Sequence, residues 1–151
     1  MQLLGELPTA SPAHIVGLAA SLVLGALIGL ERQLRKHPAG MHTTALVALG
    51  SAAFVVAAML IGDHTGDNTG PARVAGQVVT GIGFVCGGVI LHLGATVRGI
   101  NTAATVWCAS AVGVLAGLGL VLWAALVTAL VIVANVTLHF CDQRIAAHLE
   151  K

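Results

Sequence analysis

Five long apolar stretches follow one another along this chain, and each has about the length that a helix needs to cross a bilayer. A hydrocarbon core about 30 Å thick takes roughly 20 helical residues. The stretches are His14–Leu30, Thr43–Gly62, Ala72–Leu93, Thr102–Gly117 and Leu120–Phe140. Charged residues make up only 9% of the 151 residues, against about 25% in soluble domains. The sequence therefore predicts an all-α integral membrane protein, a bundle of about five transmembrane helices that contacts the lipid bilayer directly.

The number of spans depends on the fourth stretch, which is the shortest. It can begin inside the preceding loop, and the glycines at Gly117 and Gly119 can join the last two helices as one tight hairpin. Between four and six spans are compatible with the sequence, and five fits best.

Basic residues in the connecting segments predict the orientation. One side carries six of them, Arg32, Arg35, Lys36, Arg98, Arg144 and Lys151, and the other side only Arg73. The positive-inside rule then places the N-terminus outside the cytoplasm and the C-terminus inside. No basic block occurs, which argues against nucleic acid as a partner. The segment before the first span lacks the basic region of a cleavable signal peptide.

Small residues line one face of several stretches. Three GxxxG pairs occur, Gly25–Gly29, Gly83–Gly87 and Gly113–Gly117, and the third stretch has a longer series, Gly76, Thr80, Gly83 and Gly87. Residues spaced by three and four share one face of a helix. In membranes such faces let helix backbones approach closely. The sequence leaves two interpretations open: tight packing within one subunit, or assembly of a homo-oligomer.

Polar residues recur on the third and fourth stretches. Asn101, Thr105 and Cys108 are spaced four and three apart on one face of the fourth, and Gln77 lies one turn inside Arg73 on the third. Asn101 can instead cap the start of its helix, because its side chain accepts a bond from the free amides there. A packing role would also account for Asn101 and Cys108.

Three charged residues, Glu31, Arg73 and Arg98, lie at span ends. Glu31 and Arg98 belong to the same membrane level, so an ion pair between them is allowed. Charges at this depth commonly extend into the headgroup region and do nothing further. For each of the three residues, the sequence is compatible with a functional role and equally with contact to the headgroups alone.

The sequence offers no recognisable metal or catalytic site. The loop with Asp63, His64, Asp67 and Asn68 carries oxygen ligands that suit hard cations, but a solvated turn accounts for it better. Histidines are scattered without HExxH spacing, and no GxSxG or Walker motif occurs. We expect no metal, no cofactor and no enzymatic activity.

Three segments together resemble the membrane domain of the MgtC/SapB family: GALIGLERQLRKHPAGMHTTALVALGSA, GIGFVCGGVI and VRGINTAATVWCASAVG. The likeness runs from about His14 to Phe140. It implies that residues 1–141 form the family's transmembrane domain and that residues 142–151 form a short cytoplasmic tail in place of its C-terminal soluble domain. It also implies functional roles for Asn101 and Cys108, through the NTAATVWC motif, and for Glu31, through GLERQ.

Two departures from the family pattern lie near the membrane edge. Gly70 stands where many members have an acidic residue before the proline that opens the third span, and His42-Thr43-Thr44 replaces an arginine–threonine–histidine run. Both changes alter the polar partners that a site at these positions would have.

The resemblance implies a multi-pass protein of the bacterial inner membrane, associated with magnesium-limited growth and intracellular survival. Two functional hypotheses follow. In the first, the protein is a regulatory component that acts on itself or on a membrane ATPase or transporter. In the second, it is a small transporter or channel for an ion or small solute, with a polar route between spans three and four. Carboxylates and basic residues are absent from the middle of the spans, which favours regulation.

Overall fold

The computed structural model describes residues 11–93 and 96–149 and consists of five helices and one short hairpin. The elements in chain order are α1 (Pro12–Leu34), α2 (Met41–Thr65), α3 (Gly70–Val89), β1 (Leu91–Leu93), β2 (Thr96–Arg98), α4 (Ile100–Gly117) and α5 (Val121–Leu149). All five helices are long and apolar enough to cross a membrane. The predicted five-helix membrane bundle is therefore confirmed, while the orientation of its termini stays a prediction.

The third span ends earlier than predicted, at Val89 instead of Leu93. Ile90 is already extended, and Leu91–Leu93 pairs with Thr96–Arg98 in an antiparallel hairpin. The β-branched residues that follow Gly87 and Gly88 favour a strand over a further helical turn. Gly99, directly before α4, has a φ of 94°, and an added Cβ there would strike the carbonyl oxygen of Val89. The hairpin thus returns the chain to the bundle in a space that only glycine fits.

The last helix runs further than the predicted span. It continues past Phe140 to Leu149, so most of the predicted tail is a direct extension of α5. Residues 150–151 of that tail, and the segment before residue 11, lie outside the described part of the chain. The connections at the opposite ends of the helices are short, with Gly66 and Gly119 in the left-handed conformation that a tight turn requires.

Two of the three GxxxG pairs hold the centre of the bundle together. An added Cβ on Gly25 would lie 2.7 Å from the Cβ of Ala48 on α2, and one on Gly113 would strike the backbone of the same residue. Gly29 and Gly117 repeat these contacts one turn away, against Met41 and Ala52 respectively. Helix α2 therefore packs directly between α1 and α4, and at these contacts almost no side chain separates the three backbones.

The buried hydroxyl groups of the described residues are hydrogen-bonded to partners inside the bundle. The hydroxyls of Ser51 on α2 and Ser110 on α4 lie 2.9 Å apart and are buried. Others donate to a carbonyl of their own helix, as Thr128 does to Ala124 over 2.9 Å. This local bonding removes the cost of a free hydroxyl in hydrocarbon. Side chains of Ile28, Val55, Val106 and Val112 fill the remaining space.

Helix α3 lies at the edge of this arrangement. Among the residues that the structure describes, none on α3 is buried. Its Val78, Ile82, Cys86 and Val89 are half-buried against α2 and α4, whereas Gly76, Thr80, Gly83 and Gly87 are exposed. No described atom lies within 4 Å of an added Cβ at any of these three glycines. The small-residue face of α3, defined by these four exposed residues, thus points away from the rest of the chain.

The contrast between Gly113 and Gly83 gives a direct test of this packing. Gly113→Ala places a methyl group against the α2 backbone and should lower the free energy of unfolding by about 1–3 kcal/mol, the usual cost of overpacking. Gly83→Ala, on the exposed face of α3, should leave it unchanged or slightly raised. The measurement is reversible unfolding in detergent, followed by circular dichroism. Equal losses for the two variants would contradict the packing described here.

Candidate functional site

Charged and polar side chains from three helices meet at one end of the bundle. We call this the basic end: α1 ends there at Leu34, α2 begins, the β1–β2 hairpin lies there and α4 begins. The opposite end, at the α2–α3 turn around Gly66, is called the turn end. Glu31, Arg32 and Arg35 come from the last turns of α1, Thr102 and Thr105 from the first turns of α4, and Asn135 from α5. These six residues form the basic-end cluster.

Arg32 is the most unusual member, because its side chain is 1% exposed. Its Nη2 donates to the hydroxyl oxygen of Thr102 over 2.6 Å, and Thr102 is itself buried. The Nε of Arg32 has no hydrogen-bond partner among the described residues. A buried guanidinium with a single hydrogen bond is costly, and attraction from the neighbouring Glu31 offsets part of that cost.

Glu31 links α1 to α5 through two contacts. Its Oε1 lies 2.7 Å from the Nε of Arg35, an ion contact that is not aligned as a hydrogen bond. Its Oε2 accepts a long hydrogen bond of 3.5 Å from Nδ2 of Asn135. The Arg35 guanidinium also lies 5.6 Å from the ring centre of Phe140, within the range of a cation–π contact. The predicted partner Arg98 is instead exposed on β2, and the described residues contain no Glu31–Arg98 ion pair.

Asn135 also joins α5 to α4. Its Nδ2 lies 3.5 Å from the hydroxyl oxygen of Thr105, and that hydroxyl donates to the carbonyl of Asn101 over 2.9 Å. Thr105 is buried and Asn135 is half-buried. The cluster can therefore bind or orient a polar group at this end, and its polar contacts link α1 to both α4 and α5.

The sequence-predicted residues are only partly brought together. Glu31 and Thr105 belong to the cluster, and Asn101 enters it through its carbonyl while its side chain is exposed. Cys108 is half-buried nearer the middle of α4. Arg73 and Gln77 lie near the turn end of α3, far along the helix from this cluster, and both are exposed. Their functional roles stay predictions.

Four members of the cluster, Arg32, Arg35, Thr102 and Asn135, were not predicted as functional residues, although the sequence carries a signal for Arg32 and for Asn135. Arg32 continues the buried face of α1 through Ser21, Gly25 and Gly29, at spacings of four, four and three, so it belongs inside and not in the loop. Asn135 is the only amide side chain in the last apolar stretch. A lone amide in such a stretch indicates a partner on a neighbouring helix.

The Arg32–Thr102 bond can be tested with a near-isosteric change. Among the described residues, Thr102 is the one hydrogen-bond partner of the buried guanidinium, so Thr102→Val should lower the free energy of unfolding by about 1–3 kcal/mol. Combining it with Arg32→Met should restore part of that loss, because both polar partners are then gone. Thr137→Val is the control, since that hydroxyl is exposed and bonds only to its own helix. Equal effects at the two threonines, measured in detergent, would contradict the assignment.

Known proteins match this chain over most of its length. The model of the MgtC family matches residues 18–144. Protein MgtC of Salmonella typhimurium (strain LT2) is 47% identical over 132 residues, which are 87% of this chain and 55% of that protein. Protein MgtC of Brucella abortus (strain 2308) is 51% identical over 122 residues, 81% of this chain and 50% of that protein. An uncharacterized protein of Synechocystis is 48% identical over 125 residues, 83% and 52% of the two chains.

The chain thus spans about half the length of the curated relatives it matches. No solved structure matches it. The family match covers all five helices in whole or in large part, and it includes every member of the basic-end cluster. This multi-pass membrane protein belongs to the MgtC family.

Proposed function

We propose that this protein is a regulatory component of the bacterial inner membrane that acts by docking α3 against a transmembrane helix of a partner. The observation that carries the proposal is the small-residue face of α3, which no described residue covers. In α1 and α4 the same GxxxG pattern is used for close contact inside the bundle. A face of this kind exposed to lipid is suited to a helix from another chain.

Close backbone approach is the physical basis of such a contact. Lipid tails are as apolar as the helix, so association in a membrane depends on packing and on weak polar contacts across the interface. Gly76, Gly83 and Gly87 offer a shallow groove about three helical turns long, and the hydroxyl of Thr80 lies between them. A bulky side chain at the middle of this groove would hold a partner helix away.

The interior of the bundle supports regulation over conduction. Its buried hydroxyls have partners inside the bundle: Ser51 and Ser110 bond to each other, and Thr102 accepts from Arg32. At the contact between α3 and α4, the thiol of Cys86 donates to the carbonyl of Ala103 over 3.3 Å. A conducting route needs groups that are available to a solute, and these groups are already engaged.

The identity of the partner rests on the family association with magnesium-limited growth and intracellular survival. We propose an ion-translocating ATPase or a transporter as the docked protein, with a second copy of this chain as the other candidate occupant. The relatives are named as MgtC proteins, and this function extends from them to the present chain as a proposal.

Two leucine substitutions on α3 separate docking from folding. Gly83→Leu lies on the small-residue face, whereas Gly88→Leu is equally free of contacts within the described structure but lies off that face. In a bacterium that lacks its own copy, Gly83→Leu should fail to restore growth at low Mg²⁺, and Gly88→Leu should restore it. Protein levels and unfolding in detergent should match the wild type for both. Full complementation by Gly83→Leu would contradict docking through this face.

The transport alternative is favoured by one observation, the buried Arg32. Ionisable groups inside a membrane commonly mark the path of an ion or solute, and Glu31, Arg35 and Asn135 surround the same end of the bundle. If the cluster handles a substrate, Glu31→Gln should abolish flux through the protein while leaving it folded.

Purified protein in liposomes provides the test of this alternative, with Mg²⁺, K⁺, Na⁺ and H⁺ assayed separately. The docking proposal predicts no protein-dependent flux for any of them. The control is Asp63→Asn, which changes an exposed carboxylate outside the cluster. A flux that is lost in Glu31→Gln and kept in Asp63→Asn would contradict the regulatory proposal and support transport.

A further inference from the structure

A lateral cleft separates α2 from α3 along the half of α2 nearer the basic end. Its volume is about 550 Å³, within the range of about 300–1,000 Å³ typical of small-molecule sites. Phe54 and Val85 in its lining are exposed, so the cleft is open to the surface of the bundle. The lining residues are Leu46, Val47, Gly50, Ser51 and Phe54 of α2 and Val74, Gln77, Val78, Gly81, Ile82 and Val85 of α3. Nearly all of this lining is apolar.

Two glycines keep the cleft open. Gly50 and Gly81 line it from opposite helices, and no described atom lies within 4 Å of an added Cβ at either position. Neither glycine is required by close packing or by a left-handed backbone. A larger side chain at either position would occupy the cleft instead of colliding with the protein.

A second, smaller cleft, with a charged pair in its otherwise mostly apolar lining, continues the first toward the turn end. It measures about 190 Å³, shares Val74 with the apolar cleft, and is lined by Asp67 and Arg73. The Oδ1 of Asp67 accepts from the backbone amide and the hydroxyl of Thr69, over 2.9 and 2.6 Å. These bonds, with Arg73 nearby, hold the pKa of Asp67 below its usual value, so the carboxylate is ionised at neutral pH.

Arg73 and Asp67 form only a loose pair. Nη1 of Arg73 lies 3.9 Å from Oδ2 of Asp67, and the two side chains are 75% and 43% exposed. Each therefore keeps hydrogen-bonding capacity that the described residues do not use. Side by side, they present one positive and one negative group at the level where α3 enters the membrane.

Gln77 lies between the polar and apolar parts. It follows Arg73 by four residues, so it lies about 6 Å deeper along the helix. Its side chain lines the apolar cleft and makes no hydrogen bond with any described residue. An amide at this depth needs a polar partner, because leaving it unpaired in hydrocarbon costs several kcal/mol.

We propose that the α2–α3 cleft binds one phosphatidylethanolamine molecule from the leaflet at the turn end. Its phosphate pairs with Arg73, its primary ammonium pairs with Oδ2 of Asp67, and an ester carbonyl accepts from Gln77. One acyl chain fills the apolar cleft past Gly81 and Gly50. The order of groups along the cleft, zwitterionic, then amide, then apolar, matches the order along this lipid.

Charge complementarity decides between lipid classes. Phosphatidylglycerol supplies the phosphate but no ammonium, so it leaves Asp67 unpaired beside an anion. Phosphatidylcholine has a quaternary ammonium that cannot donate a hydrogen bond to Oδ2. A second protein helix would fill the apolar part and leave Gln77 unpaired unless it supplied its own polar group at that depth.

The test uses the full chain in vesicles of equal parts phosphatidylethanolamine, phosphatidylglycerol and phosphatidylcholine. After extraction into detergent, native mass spectrometry identifies the lipids that remain bound. We expect one phosphatidylethanolamine per protein in preference to the other two. Gly81→Leu and Gly50→Leu should lose this lipid, whereas Gly88→Leu should retain it. Equal retention of the three lipids, or unchanged retention in both cleft-filling variants, would overturn the proposal.

Two further variants test the headgroup assignment. Asp67→Asn removes the partner of the ammonium and should shift the preference toward phosphatidylglycerol, while Gln77→Leu should lower retention of every phospholipid. A phosphatidylethanolamine with a photoreactive acyl chain locates the site directly. Its cross-links should concentrate in residues 46–54 and 74–85. An even spread over α1 and α5, or an unchanged preference in Asp67→Asn, would overturn the assignment.

Discussion

The close contact of α1 and α4 with α2 at Ala48 determines most of the structure. Gly25 and Gly113 bring two backbones onto this one alanine, and Gly29 and Gly117 extend the contact by a turn on each side. In a membrane there is little hydrophobic force between helices, so this density of backbone contact is the main source of cohesion. The side chains that fill the core can therefore be small, and most of the buried apolar residues are alanine or valine.

The position of the basic-end cluster follows from the same contact. Because α1 and α4 both lie directly against α2, the last turns of α1 are brought to the first turns of α4, and Arg32 reaches Thr102 inside the bundle. Glu31 then faces α5, where Asn135 is within reach. A looser bundle would let the guanidinium extend to the headgroups, as arginine at a helix end ordinarily does.

The sequence predicted the five helices because their apolar length is a property of each segment alone. It could not predict which GxxxG pair would be used inside the chain, since Gly83–Gly87 has the same pattern as Gly25–Gly29 and only the tertiary arrangement distinguishes them. The early end of α3 was missed because Leu91–Leu93 is as apolar as the helix before it. Arg32 was assigned to the loop by its charge, although its spacing from Gly25 and Gly29 places it on the buried face.

The edge position of α3 has a consequence for how the molecule is assembled during synthesis. Helices α1 and α2 can pair as soon as both are in the membrane, but α2 meets its other neighbour only when α4 has been made. Helix α3 enters before α4, and it must leave the second face of α2 vacant until then. None of the described residues of α3 is buried, which suits this order of synthesis. A helix that bound tightly to α2 at this stage would prevent α4 from packing there. A helix held at the edge in this way leaves that face of α2 open for α4.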